Sequence, residues 1–372
     1  MDSDRAYDTR CLPRGHWRLT RDPRPLVLID ARPARRRPVS GTATFVRELR
    51  RAIEEIAPTD IRLRWLSGPP GVPRRGRLTS AANAALDLGW THVGLPVLAL
   101  TLRAQLIHGT FHWTPWFSPV PTSVVIHDLM WEHFPDETDP RFRRFATRFT
   151  RRSARRAKLV LVPSKATSAD LTERYGTHPD HIRVIPEGVR PARASSNERE
   201  PFILAVGIDE PRKRIAALVA AHGRYWSRAA SDPARCRLML VGAAQTGETF
   251  QGDGVDVLGR VSDDHLAELY QRATLLVYPS ALEGFGLPIL EAMAHGCPVL
   301  CARNAALVEV GADVALYLDD VATEPFARRL TAVLGDRDAL ATRGEEGRAR
   351  AATFPWRTTA LSTLDAFREL VY

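Results

Sequence analysis

The stretch Ser280-Ala281-Leu282-Glu283-Gly284-Phe285-Gly286-Leu287-Pro288-Ile289-Leu290-Glu291 follows a short apolar run, Leu275-Leu276-Val277-Tyr278, and opens a helical pattern over 288–295. The run reads as a buried strand and the two glycines as a tight turn. Pro288 suits the first turn of a helix, where a missing N–H leaves no bond unmade. Free N–H groups and the positive end of the helix dipole at such a turn would hold a pyrophosphate, and Gly284 and Gly286 would let the backbone approach a ligand closely. Glu291, about one turn into the helix, is placed to accept from both hydroxyls of a ribose diol. Glu283, on the loop, is placed to hold hydroxyls of a sugar. The glycines alone would read as a surface turn; the whole string argues for a site.

The same strand–turn–helix rhythm extends in both directions. Upstream of 190, strand-like runs stand at 26–30, 61–66, 105–108, 123–127 and 159–163, with helices over 141–156 and 165–175 and a helix after Gly41 that aligns Phe45, Leu49, Ile53 and Ile56. A polar segment at 187–199, interrupted by Pro191, reads as a linker. The alternation then restarts, with strands at 202–206, 237–241, 275–278 and 299–301 and helices over 214–229, 263–271 and 288–295. Repeated alternation implies parallel sheets covered on both faces. The expected fold class is therefore α/β, with two Rossmann-like doubly wound domains facing across a cleft. Residues 1–23, polar and aperiodic, read as a flexible leader.

With 372 residues and a hydrophobic share of 44%, the chain is long enough for two cores. No uncharged apolar run approaches the roughly eighteen residues of a membrane span, and residues 93–102 follow no signal-peptide pattern, so a cytoplasmic protein is expected. Cys297 and Cys301 suit buried thiols better than a metal site. The net charge of +9 is unevenly spread: residues 1–190 carry 32 Lys and Arg against 19 Asp and Glu, whereas 191–372 carry 20 against 24. The basic half is suited to an anionic partner. Its densest part, 141–158, holds eight arginines and Lys158 without an acidic residue, so peripheral contact with an anionic membrane at its inner face is a candidate; a solvated helix face is the plainer reading. No nucleic-acid reader motif accompanies the charge, and nucleic acid is not an expected partner.

The string from Ser280 to Glu291 resembles the E-x7-E donor motif of family 4 retaining glycosyltransferases, with an intact E-G-F-G-L-P core. In chain order, His127-Asp128, Val184-Ile185-Pro186-Glu187-Gly188-Val189, Glu210-Pro211-Arg212-Lys213 and Phe354-Pro355-Trp356 resemble further family segments, and Phe134-Pro135 is similar to the mannosyltransferase-like branch. The resemblance spans roughly 25–370. It implies the GT-B architecture, with an acceptor-side domain over 24–188, a nucleotide-sugar domain over 189–355 and a terminal helix, 356–372, returning to the first domain. It also implies hexose transfer, with mannose a candidate, from a nucleoside-diphosphate sugar to a glycan or lipid-linked acceptor. Arg212, Lys213, Glu283, Gly284, Phe285, Gly286, Leu287 and Glu291 are then the donor-binding set, and His127, Lys213 and Glu283 the catalytic one. Gly41 and Thr42 belong to an acceptor-side loop. Three departures stand out: Ile208 where the family often has Arg, Ala43-Thr44 in place of Gly-Arg, and Glu187 in place of Asn.

Glycosyl transfer gathers negative charge on a departing diphosphate, which fixed cations can stabilise. Lys213 and Arg212 at a strand end fit that need. No Asp-x-Asp stands at a strand end, so neither a metal nor another cofactor is implied. His108 also ends a strand and has weaker support than His127. Competing readings are a nucleotide-sugar epimerase or hydrolase on the same scaffold, a basic nucleic-acid-binding protein, and an inactive partner subunit.

Overall fold

The computed structural model describes residues 22–36, 40–73, 77–192, 199–208, 210–242 and 250–372. All but the last two residues of the expected leader, and residues 193–198 of the expected linker, lie outside the described residues.

The first sheet is built from β1 (Leu26–Asp30), β2 (Arg62–Leu66), β3 (Leu106–Gly109), β4 (Thr122–Val125), β5 (Leu159–Val162) and β6 (Ile182–Val184). Its spatial order is β2-β1-β3-β4-β5-β6, parallel throughout. The second comprises β7 (Glu200–Val206), β8 (Arg237–Val241), β9 (Val255–Gly259), β10 (Ala273–Tyr278), β11 (Val299–Ala302) and β12 (Leu316–Leu318). It runs β12-β11-β10-β7-β8-β9, also parallel. That is the doubly wound order whose topological switch point falls between β7 and β10, where ligands bind outside the carboxyl ends of the strands. The central strands β1 and β10 are buried along their whole length, as aliphatic runs covered by helices on both faces must be.

Local sequence sets the helix boundaries. Ser164 Oγ accepts from the Thr167 amide to start the helix Lys165–Tyr175, and Gly176 ends it in the left-handed conformation. Asp139 caps the helix Pro140–Arg156, with Pro140 in its first turn. The helix Trp356–Val371 leaves the second domain and packs on the helix Gly41–Ile56 and on β3, joining Ala360, Leu364 and Phe367 to the core of Val27, Phe45 and Leu49.

Several elements differ from the sequence reading. The edge strands β6, β9 and β12 and the helices Ala305–Gly311, Thr323–Leu334 and Arg337–Ala351 were not foreseen. A helical run occupies 77–102, passing through a π-helical turn at Trp90–Gly94. Within it Ala82–Leu102 is 21 residues long, apolar and mostly exposed. By length and composition this helix could cross a membrane. Asp87 breaks the uncharged run in the sequence, but the helix continues through it.

Candidate functional site

The carboxyl ends of β7 and β10 bring the two donor segments together. After β7 the chain turns at Gly207 and makes a short 3-10 turn, Pro211–Lys213. After β10 it passes Ser280, Glu283 and Gly284 into the helix Leu287–Ala294. The Ala281 amide donates to the Arg212 carbonyl at 2.8 Å, joining the segments.

Glu283 is the hub of this junction. Its Oε1 accepts from Lys213 Nζ at 2.6 Å, Ser280 Oγ at 2.6 Å, the Tyr278 hydroxyl at 2.8 Å and Arg212 Nη1 at 2.9 Å. Its Oε2 receives none of these bonds. Lys213 Nζ also donates to the Tyr278 hydroxyl, and Arg212 donates to the Leu282 carbonyl and to Glu210. Burial alone would raise the Glu283 pKa, but Lys213 and Arg212 overcome it and bring the carboxyl down to about 2. Burial pushes the Lys213 ammonium down despite Glu283, while Glu283 and Glu210 raise the Arg212 guanidinium against its burial. The sequence assigned the cations to a pyrophosphate and Glu283 to a sugar; here all three form one charge cluster. Tyr278 and Ser280 complete it and were not singled out, because only the fold aims them at Glu283.

The glycines act by steric absence. A Cβ on Gly284 would stand 1.9 Å from the carbonyl oxygen of His127, in the other domain. Gly286 has φ +115°, and a Cβ there would press on Leu307 at 2.6 Å. Phe285 is buried against Phe354, and Leu287 packs against the cores of both domains. These two residues therefore hold the loop in place. Glu291 is partly exposed; its Oε2 accepts from the Tyr270 hydroxyl at 3.2 Å. Burial, then Asp263, Glu187 and Glu48, push its carboxyl up to about 7 against that hydrogen bond.

On the first-domain side, His127 lies two residues beyond β4. Its Nε2 is 3.1 Å from the Thr110 carbonyl oxygen and its Nδ1 is 3.3 Å from Glu187 Oε1. Phe45 meets the ring edge-on, with centroids 5.1 Å apart. The Asp128 carboxylate accepts from the Met130 amide and shapes the loop. Gly41 and Thr42 do not form a loop as expected. They begin the helix Gly41–Ile56, because Ser40 Oγ accepts from the Ala43 amide and caps it. His108 is fully buried, bonded to Ser123 and packed on Phe367, with its ring pushed down to about 3 by burial. It is a core residue.

A cavity of about 690 Å³ opens at the opposite end of the second sheet, beside Pro201, Thr274 and Arg337, and shares none of these site residues. Among the described residues no group of three or more His, Cys, Asp or Glu side chains could hold a metal ion.

Two family models match in tandem: Glycosyltransferase Family 4 over residues 39–193 and Glycosyl transferases group 1 over 190–350. The O-antigen chain mannosyltransferase B of Escherichia coli is 34% identical over 178 residues, 45% of this chain and 46% of that protein. The chain thus spans about half the length of that curated relative. Sucrose-phosphate synthase from Thermosynechococcus elongatus has the same fold, with a TM-score of 0.70 at 21% identity, over 93% of this chain and 99% of that one. Anabaena HepE, solved with UDP-glucose, follows at a TM-score of 0.63 and 18% identity, over 92% and 99%.

Proposed function

The chain belongs to family 4 of the glycosyltransferases, and from that premise we propose that it moves a hexose, with retention of anomeric configuration, from a nucleoside-diphosphate sugar to a glycan or lipid-linked acceptor. The observation that carries this reading is the Glu283 hub at the switch point, with Lys213 and Arg212 held within 2.9 Å of one carboxylate oxygen. Glu283 Oε1 fixes the two cations, and Oε2 is left for a sugar hydroxyl. The cations then meet the charge that develops on the departing diphosphate, without rearranging as it forms. Glu291 takes the ribose hydroxyls, and the Leu287–Ala294 helix end takes the phosphates. No metal is part of this reading. Mannose is favoured as the sugar by the name of the Escherichia coli relative; UDP-glucose beside Anabaena HepE keeps a uridine donor in the comparison. The test is acceptor-dependent release of GDP or UDP from GDP-mannose and UDP-glucose, with the product anomer read by NMR. Equal nucleotide release with and without acceptor would instead favour a hydrolase, and an inverted anomer would overturn retention.

The acceptor side is read as working at the cytoplasmic face of a membrane. Val93, Val97 and Leu100 recur at helical spacing along Ala82–Leu102 and are 62%, 50% and 63% exposed, and Phe117 nearby is 73% exposed. The Arg152 and Arg156 guanidiniums lie 5.8 and 5.4 Å from the Phe117 ring. The two helices meet where the Trp116 amide donates to His92 and the His92 ring packs on Phe149. Apolar side chains rimmed by arginines are what an anionic bilayer surface accepts. Vesicles rich in phosphatidylglycerol should sediment the protein and phosphatidylcholine vesicles should not. Replacing Arg148, Arg151, Arg152 and Arg155 by Gln should weaken that binding while leaving activity on a soluble acceptor. Equal sedimentation of parent and variant would remove the membrane from the reading.

A further inference from the structure

We propose that Glu187 is a positioning residue for the transfer reaction, acting through His127, which it holds as an imidazolium against the donor loop. Its kinetic consequence rests on the glycosyl-transfer reading; the protonation state rests on geometry.

The Nε2 nitrogen of His127 faces a carbonyl, which only accepts, and Nδ1 faces a carboxyl that only accepts when ionised. Nε2 stands 3.1 Å from the Thr110 carbonyl oxygen, and Nδ1 stands 3.3 Å from Glu187 Oε1. A neutral imidazole has one N–H and serves one of them; the other nitrogen would then set lone pair against lone pair. A ring with two N–H groups serves both. The carboxylate points the same way. The Glu187 side chain is 6% exposed, and among the described residues its hydrogen-bond partner is His127. A buried carboxylate requires a cation or a donor beside it. One proton on Nδ1 satisfies both groups and leaves the pair neutral as a whole.

The position gives the pair its effect. Glu187 lies in the crossover between the domains, between Pro186, whose carbonyl accepts from Thr359 Oγ1, and Gly188, which packs on the Trp356 backbone. The His127 carbonyl oxygen lies against Gly284 of the donor loop and accepts from Thr167 Oγ1 at 3.2 Å. Ring and carbonyl are thus fixed from opposite sides. The pair adds no net charge to the cleft wall; it fixes the ring and the carbonyl beside the loop that carries Gly284. With both nitrogens protonated, His127 has no lone pair with which to act as a base. Asn, which the family resemblance puts at position 187, could donate to Nδ1 through its amide and leave the ring neutral; Glu187 sets this chain apart.

The test reads the His127 ring by 15N–1H NMR at pH 7 in the full chain, with its signal assigned by loss in a His127→Gln spectrum. Two protonated nitrogens are expected in the parent and one in Glu187→Gln, whose amide can donate to Nδ1. In turnover, Glu187→Gln should lower kcat about 10-fold, less than the ~10²-fold of a direct electrostatic donor, with donor KM within about twofold. Glu187→Asp should recover part of the loss. A bare ring nitrogen in the parent, whether Nδ1 facing a protonated Glu187 or Nε2 facing the Thr110 carbonyl, would make the ring neutral and overturn the assignment. A Glu187→Gln variant with parental kcat would overturn the positioning role. The spectrum needs neither donor nor acceptor, so it stands or falls independently of the transferase reading.

Discussion

Glu291 sets ligand binding against stability, and replacing it by Gln separates the two. Burial first, then Asp263, Glu187 and Glu48, raise its carboxyl from the ordinary 4.5 to about 7. Between those values the folded chain keeps a proton that the unfolded chain has released. Stability therefore falls as pH rises through the window and levels off above about 7. At 1.36 kcal/mol per pH unit, the ionised carboxylate costs the fold about 3 kcal/mol at pH 8. Solvent at the partly exposed carboxyl brings this toward about 2 kcal/mol. Glu291→Gln should thus match the parent in urea unfolding at pH 4.5 and exceed it by about 2–3 kcal/mol at pH 8. The ionised form is the one that can accept from both ribose hydroxyls, so nucleotide binding should draw on it. Titration calorimetry with GDP and UDP should show parent affinity falling by up to about tenfold per pH unit below 7. Glu291→Gln, binding weakly throughout, serves as the control for titration of the phosphate itself. Two results would refute this reasoning: a stability difference between parent and variant that does not change from pH 4.5 to 8, or a parent affinity that follows the control.

Lys213→Ala should lower kcat on the order of 10²-fold and raise donor KM much less, because the leaving-group charge develops in the transition state. Lys213→Arg should recover only part of this, since a planar guanidinium cannot occupy the place of a compact ammonium; parental turnover by the Ala variant would remove Lys213 from the chemistry. Donor turnover should survive excess EDTA, and a loss restored only by Mg²⁺ or Mn²⁺ would show that the cations do not suffice. Gly284→Ala puts a methyl 1.9 Å from the His127 carbonyl oxygen, so the loop must retreat. A fall in kcat/KM on the order of 10²-fold is expected, with a melting temperature close to the parent's because the clash lies between domains; unchanged kcat/KM would mean that the contact is not made in turnover.

The central strands were legible because strands buried on both faces appear as unbroken aliphatic runs, as in Leu26–Asp30 and Leu159–Val162. Three of the four edges were not. β9 reads Val-Asp-Val-Leu-Gly and is half exposed, and β6 and β12 have three residues each, so none shows a sustained pattern. The helical run 77–102 was hidden by Gly89, Gly94 and Pro96, residues that usually end helices; a π turn accommodates them here. At the site, Glu283 and Lys213 could be picked out because they stand at strand ends in recognisable strings. Their pairing, the added donors Tyr278 and Ser280, and the contact between Glu187 and His127 across 60 residues depend on which strands become neighbours. A string shows what stands at each strand end. It does not show which ends the sheet brings side by side.

The returning helix Trp356–Val371 has a consequence for the order in which the protein is made. Its Trp356, Leu364 and Phe367 complete the core of the first domain, and Arg368 pairs with Asp60 at 2.7 Å. On the ribosome, domains generally fold from the N-terminal end as they emerge. Here residues 22–192 emerge with a gap in their hydrophobic wall, and the entire second domain is synthesised before the helix that fills it. The second domain, begun later, can close its core first. The acceptor-side domain stays unfinished until the helix arrives, so a chain interrupted just before 356 has a second half whose core is filled and a first half still exposed to aggregation and proteolysis.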